Sequence, residues 1–461
     1  MWLRVLVVSL LASQVVLGQN QLGLHISNYA GANGLSLNPA SFQVSPLSWD
    51  VNILSGGVYF ENDYAFLENT NSLKLLTQNS QVLVDRNAEG TPPADGLFYN
   101  FFYPAGRINL SVNAFAGLPA GVFRVNPKFS IGIFTKARLA FSGHKLDNNL
   151  SKPQLDLWLE NNEMSFKPLQ VSALSWGEVA INLGFNTTRK IRTKSAFGVN
   201  IKYLIGLGAA YFKNNQTIDI LPTSLNYSSP QASLQFGQAG VFNRPNKAVL
   251  GKGFGFDMGY SFKKKKKGGQ QYHYQLNAAL VDIGWISFNK GTEAYDINGS
   301  NLSLLKEELN DLNDLNELAN LLSDGSGNSS AQSNFVMFLP AALHLSADYR
   351  LSQYFLLNAA INQRLKLGKI RVERDNLLAL SARFENRWFE AGVPLVLTNY
   401  QKLRMGAWLR LGFLTIGSDN LGSLFINQNQ YSGSDLYFAI RLMPGLKKNR
   451  HTKKADACYF D

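Results

Sequence analysis

The residues of this 461-residue chain most able to do chemistry are ionisable side chains set singly among apolar ones: Glu178, Lys202, Asp257, His344, Asp348, Arg350, Arg383, Glu385, Arg404, Arg410 and Arg441. Lys202, for example, lies between Ile201 and Tyr203, and Asp257 between Phe256 and Met258. Charges of both signs gathered in one interior either pair with one another, which stiffens it, or line a polar path. Catalytic arrangements find no support, because there is neither a GxSxG elbow nor a defensible triad spacing. His25, His144, His273, His344 and His451 stand too far apart for an HxxxH or HExxH metal pair. The single cysteine, Cys458, excludes an intramolecular disulfide and a cysteine-built zinc site. Gly206-Leu207-Gly208 and Gly253-Phe254-Gly255 open no helix and are not phosphate loops. No metal, no cofactor and no enzymatic activity are expected.

Strands must position those charges. Phe254, Phe256, Met258, Tyr260 and Phe262 alternate with Gly255, Asp257, Gly259 and Ser261, which puts all the large apolar groups on one face. The same period of two runs through Phe197 to Tyr211, Val179 to Phe185, Leu343 to Tyr349 and Leu436 to Leu442. Only 16% of the residues are charged, against roughly 25% in ordinary soluble domains, while 45% are hydrophobic and 12% aromatic. The pattern predicts fourteen strands near 49–60, 107–125, 128–142, 166–186, 195–212, 253–263, 272–288, 340–350, 353–362, 376–385, 388–397, 403–411, 413–419 and 435–443.

Alternation alone also fits a soluble sandwich, but loop length separates the two. Connections after odd-numbered strands are long (61–106, 143–165, 213–252, 289–339, 363–375, 420–434), and those after even-numbered strands are short (Asn126-Pro127, 187–194, 264–271, Leu351-Ser352, Asn386-Arg387). The connection 398–402 is the exception. Sorting by parity is how outer-membrane barrels are built, with short turns on the periplasmic side and long loops outside. In hydrocarbon an unpaired backbone N–H or C=O costs several kcal/mol, so a spanning sheet must close on itself. The fold class expected is therefore an all-β, transmembrane antiparallel β-barrel of about fourteen strands, spanning 49–445, with the eleven charges above lining its lumen.

Residues 1–18 read as a secretory signal, with Arg4 before an apolar core and a small-residue cleavage site at Gly18. The protein is expected in the cell outer membrane. No later run reaches the ~18 apolar residues of a membrane-spanning helix. Residues 303–322 carry leucines at 305, 309, 312, 315, 318 and 322, the spacing of an amphipathic helix in the loop after the seventh strand. It is expected to pack as a lid on the outer mouth or to dock a protein partner. The formal net charge is +12, and Lys263 to Lys267 has the composition of a nucleic-acid patch. In an exported protein that run reads instead as a solvated periplasmic turn near anionic headgroups, and no nucleic acid is expected as a partner. The tail 446–461 is basic and offers a second docking surface.

Asn28-Tyr29-Ala30-Gly31-Ala32-Asn33-Gly34-Leu35-Ser36-Leu37-Asn38-Pro39-Ala40-Ser41, together with the late Leu409 to Leu421 segment, resembles Bacteroidota outer-membrane barrels of unassigned function. These are distantly similar to the long-chain fatty acid transporter (FadL-like) family. The resemblance implies a fourteen-stranded barrel whose N-terminal segment, 19–48, folds inside as a hatch, with Asn28, Gly31, Asn38 and Pro39 in it. The same segment is too rich in turn formers for a regular helix or strand. A fourteen-stranded barrel is also wider than the eight-stranded ones that side chains alone fill. The function expected is a gated channel for small hydrophobic or amphipathic molecules. The competing reading is a non-transporting outer-membrane scaffold that binds surface or secretion machinery. Outer-membrane lipid is an expected partner in both.

Overall fold

The computed structural model describes residues 21–77, 82–86, 96–103, 108–152, 159, 162–190, 192–240, 249–265, 272–307, 317, 320–321 and 329–444. Fourteen segments pair antiparallel in sequence order: β1 (Trp49–Asn62), β2 (Ile108–Gly117, continued by Ala120–Asn126), β3 (Phe129–Leu146), β4 (Leu169–Lys190), β5 (Thr193–Asn214), β6 (Gly251–Lys265) and β7 (Tyr272–Phe288). There follow β8 (Phe335–Phe338 and Ala342–Arg350), β9 (Phe355–Arg364), β10 (Leu377–Glu385), β11 (Phe389–Thr398), β12 (Lys402–Met405 and Ala407–Leu411), β13 (Leu414–Ser418) and β14 (Gly433–Leu442). β14 pairs with β1, Leu436 opposite Val58 and Ala439 opposite Ser55, so the sheet is a closed fourteen-stranded antiparallel barrel. Two of the strand breaks fall at Leu118-Pro119 and at Pro340, where proline has no N–H for the ladder.

The period-two pattern sorts side chains as closure requires. On β5, Ile201 is 54% exposed and Lys202 1%; on β6, Phe254 is 60% exposed and Asp257 fully buried. Outward aromatics line the short-turn rim in contacting pairs, Phe129 with Phe185 at 5.2 Å, Phe355 with Phe384 at 5.3 Å and Phe384 with Phe389 at 5.8 Å between ring centres. Such a ring of aromatics marks the headgroup level of a membrane barrel. No described helix is long and apolar enough to cross a membrane.

Four expectations need correction. Ser303 to Leu305 are strand, not helix: Thr292–Leu305 pairs with Asn226–Ala239, Leu305 opposite Asn226, and that long-range ladder overrides local helical preference. Helix begins at Lys306, and of the rest of 303–322 only 307, 317, 320 and 321 are described. Second, the loops 213–252 and 289–339 are not merely connections. They carry Ile218–Pro222, Asn226–Ala239, Thr292–Leu305 and Ser329–Gln332, a sheet that continues from the upper end of β5. β4 and β5 have 22 residues each, where a membrane crossing takes about 9–11, so their upper halves support this sheet beyond the bilayer. The first long loop likewise holds a small sheet, Ala65–Leu67, Val82–Asp85 and Gly96–Phe101.

Third, Lys263 is not in a solvated turn, because the inward alternation of β6 runs on past Ser261 and aims its ammonium into the lumen, 2.9 Å from the Val44 carbonyl oxygen. Fourth, the connection after β9 is not wholly an outer loop: Lys366, Gly368 and Lys369 are exposed, but Val372, Arg374, Asp375 and Asn376 are buried in the lumen. The signal 1–18, the tail 446–461 with Cys458, and residues 266–267 lie outside the described residues.

Candidate functional site

Residues 21–48 sit within the barrel as a chain of turns and short helices, Leu22–His25, Gly31–Ser36 and Ser41–Val44. Such a segment exposes many backbone groups, and buried backbone polar groups need partners. The wall supplies them. The Arg383 guanidinium donates to the Ile26 carbonyl (2.7 Å), Arg441 to Tyr29 (2.6 Å), Asn200 to Leu35 (2.9 Å), Asn182 to Pro39 (3.0 Å) and Arg124 to Ser45 (2.8 Å). In return the Leu22 N–H donates to Asp419 (3.1 Å), Gly23 N–H to the Tyr437 hydroxyl (3.1 Å) and Ala32 N–H to Asp50 (2.8 Å). Leu22, Leu24 and Ile26 pack on Phe115, Trp408 and Val396, giving this plug an apolar anchor as well.

The four expected hatch residues all lie in this segment. Asn28 donates to Glu385 (2.8 Å) and to the Tyr272 hydroxyl (2.6 Å). Gly31 holds a φ of +58°, a conformation that costs other residues strain. Asn38 donates to Ser261 (3.0 Å) and accepts from the Ala40 N–H (2.9 Å). Pro39 rests on the inward face of β5 and β6, where a Cβ on Gly198 would overlap its carbonyl and one on Gly259 would overlap Asn38.

The eleven expected lumen residues all point inward, and they pair. Lys202 bridges Asp257 (2.8 Å) and Asp282 (2.6 Å). Glu178 faces Arg138 at 3.4 Å, and His344 contacts Asn362 at 2.9 Å. Arg383 lies between Asp348 (3.3 Å) and Glu385 (3.5 Å), with Arg350 3.7 Å from Glu385 on the other side. Arg404 donates to Glu61 (2.8 Å), Arg410 to Glu390 (3.1 Å) and Arg441 to Asp50 (3.4 Å). Ten of the eleven thus stand beside an opposite charge, and His344 beside an amide. The partners Arg138, Asp282, Asp50, Glu61 and Glu390 were missed. Arg138 sits in the same inward alternation as Phe134 and was open to detection. Asp282 was not: it occupies a bulge with φ +57°, where the period of two breaks.

Asp282 also ties down the inward loop. It accepts two hydrogen bonds from Arg138 (2.9 and 3.0 Å) and pairs with Arg374, whose Nε donates to the Pro340 carbonyl (2.8 Å). Next along the loop, Asp375 accepts from the hydroxyls of Tyr59 (2.7 Å) and Ser111 (2.8 Å) and from the amide of Asn399 (2.6 Å). Burial pushes the Asp375 carboxyl above its usual range, with these three donors pulling it back. Burial likewise raises Asp419 to about 6, against the Leu22 N–H and Tyr437 hydroxyl that stabilise its anion. Above the ion cluster the interior turns apolar, with Trp176, Leu204, Ile286, Phe288 and Met337 packed on Val372 of the loop. An inward face that was expected to be polar is therefore polar in one part and greasy in another.

Among the described residues, three of the interior cavities have volumes of about 10, 30 and 50 Å3. A cavity that admits benzene is about 150 Å3, so none of the three holds even a small aromatic molecule.

Among solved structures, the barrel is similar to the toluene transporter TodX from Pseudomonas putida, with 11% identity and a TM-score of 0.38 over 93% of this chain and 95% of that one. It is similar also to a TodX mutant described as a monoaromatic hydrocarbon channel, with 11% identity and a TM-score of 0.41 over 90% and 94%. A Pseudomonas aeruginosa FadL homologue shows 8% identity and a TM-score of 0.25 over 92% and 98%. No curated protein matches the chain. Residues 39–419 match the family described as "Family of unknown function (DUF5723)", and the chain belongs to that family.

Proposed function

We propose that this barrel is an outer-membrane channel for small hydrophobic or amphipathic molecules, exported by a signal at 1–18 and closed in the conformation described. One observation carries the reading: two discrete chain segments, 21–48 and 372–376, lie in the lumen among the side chains of the wall. Both segments are attached through hydrogen bonds and ion pairs, which can exchange for water, and through apolar contacts with the wall. The cavities of about 10, 30 and 50 Å3 beside these segments are too small for such a molecule, and passage is read as movement of one or both segments. Outward apolar residues then face outer-membrane lipid.

The scaffold reading keeps one supporting observation, the sheet that β4 and β5 carry beyond the bilayer. Uptake of a labelled monoaromatic into vesicles, compared for the intact protein and a variant lacking 21–48, discriminates the two. The channel reading expects uptake above empty vesicles, rising in the deletion variant. Equal and background uptake in both folded proteins, with a stable co-purifying partner, favours the scaffold.

A further inference from the structure

Three neighbouring turns of the short-turn rim, those joining β2 to β3, β4 to β5 and β6 to β7, are basic without a compensating acid: 120–136, 179–213 and 258–281 contain no aspartate or glutamate. The register of the sheet shows which of their cations face outward. Residues opposite one another on adjacent strands share a face, and one such row runs from Lys190 through Thr193 and Lys264 to Tyr274 and Tyr349. Tyr349 is 47% exposed on the lipid side, so the row is an outer one. Lys190 and Lys264 are exposed, with the Lys264 ammonium 5.7 Å from the centre of the Tyr274 ring, and Lys128 and Arg192 are exposed in the turns beside them. Among the described residues none of these four cations forms an ion pair. Lys194 and Lys263, which alternate with the row, turn inward instead and donate to the Gln43 and Val44 carbonyls of the plug. Nearer the middle of the same strands runs a second outer row, Phe129, Phe185, Phe197 and Tyr260. The rim's other flank differs: Arg350 donates to the Gln353 carbonyl (2.7 Å) and Arg387 to the Pro444 carbonyl (3.1 Å).

Tyr260 and Lys264 are four residues apart, roughly 13 Å along a strand and about 9 Å along the membrane normal at the usual tilt of barrel strands. The headgroup layer is about 5–8 Å deep on each side of the hydrocarbon. An aromatic row at its inner boundary therefore sets the cation row beside the phosphates. Cations at that level with no carboxylate partner are matched by headgroups that carry net negative charge. We propose that this flank of the rim is a docking surface for anionic phospholipid of the periplasmic leaflet. The headgroup phosphates sit against Lys128, Lys190, Arg192 and Lys264, and the acyl chains lie along Phe185, Phe197 and Tyr260. Confined to three adjacent turns, the surface gives the barrel one side that prefers anionic lipid and one that does not. The inference rests on the membrane-barrel reading and not on transport, since a channel and a scaffold both need a lipid shell.

Electron spin resonance of the intact barrel in phosphatidylcholine vesicles tests it, with a trace of spin-labelled phosphatidylglycerol or spin-labelled phosphatidylcholine as the probe. The motionally restricted fraction of each probe gives its association with the protein. Phosphatidylglycerol is expected to associate at least about twofold more strongly at low salt, the excess shrinking at about 1 M sodium chloride, where charges are screened beyond ~3 Å. The triple variant Lys128→Gln, Lys190→Gln, Lys264→Gln is expected to lose half of the excess or more. Lys145→Gln, Lys252→Gln, Lys290→Gln removes the same charge from lysines exposed at the long-loop end and is expected to keep it. Where the first triple variant fails the boiling-dependent gel shift of a folded barrel, the pair Lys190→Gln, Lys264→Gln replaces it and the same direction of change is expected. Equal association of the two probes with the inserted wild-type barrel overturns the proposal and leaves the patch to an acidic soluble partner; an equal loss in both triple variants overturns it as well. A protein that stays out of bilayers altogether overturns the membrane reading together with this one, whereas failure of the uptake assay leaves it standing.

Discussion

Lys202 shows what the individual charges do. It is 1% exposed and holds two carboxylates apart, those of Asp257 and Asp282. Removing one partner of a buried ion pair leaves the others uncompensated and costs about 3–5 kcal/mol. Lys202→Met is therefore expected to lower the unfolding midpoint sharply, and adding Asp257→Asn to recover part of the loss. A midpoint within error of wild type for the single variant contradicts the pairing. Asp419 gives a pH dependence. Its folded value of about 6 stands above the ordinary unfolded carboxyl value of about 3.9, so the folded protein retains a proton that the unfolded chain has released. The corresponding stability is complete below about pH 4 and is lost as pH rises through 6, amounting to at most about 3 kcal/mol. Denaturant titrations at pH 4.5 and 7 are expected to differ in wild type and to differ less in Asp419→Asn.

At the scale of elements, the inward loop is the feature with the clearest mechanical consequence. It is fixed at Arg374 to Asp282 and Pro340, and at Asp375 to Tyr59, Ser111 and Asn399. The double variant Arg374→Ala, Asp375→Asn removes its strongest ties while leaving the strands intact. It is expected to expose the buried stretch 372–376 to added protease in a barrel that still shifts on boiling; unchanged resistance there contradicts the loop's dependence on these ties.

This element was hidden in the sequence, and the plug was partly legible, for the same physical reason. Strand alternation is local, so Lys202 and Asp257 were placed inward by their immediate neighbours alone, and the fourteen strands were found close to their observed bounds. The turn formers between Asn28 and Pro46 likewise marked an irregular segment. What fastens such a segment is not local. Leu22 meets Asp419, Ser27 meets Glu390, and Asp375 meets Tyr59 across hundreds of residues, pairings that no spacing records. Trp176 and Leu204 were invisible as an apolar interior because alternation reports which face a residue takes, not what else occupies that face.

For the whole molecule, the sealed cylinder places apolar groups toward lipid, and this orientation is open to test from outside. Ile201, 54% exposed on the outer surface of β5, is expected to resist a charge: Ile201→Lys costs about 2–4 kcal/mol near the bilayer midplane. Folding into vesicles, followed by the boiling-dependent gel shift, reports that cost, and unimpaired folding argues that this face does not meet hydrocarbon. On the proposed channel reading, the plug and the inward loop together close the lumen. Single-channel recording in planar bilayers addresses this most directly, comparing the intact protein with a variant that lacks 21–48 and carries Arg374→Ala and Asp375→Asn. The intact barrel is expected to be electrically silent and the variant to show stable, ohmic steps. Steady conductance through the intact protein, or silence from a folded and inserted variant, contradicts closure by these two segments.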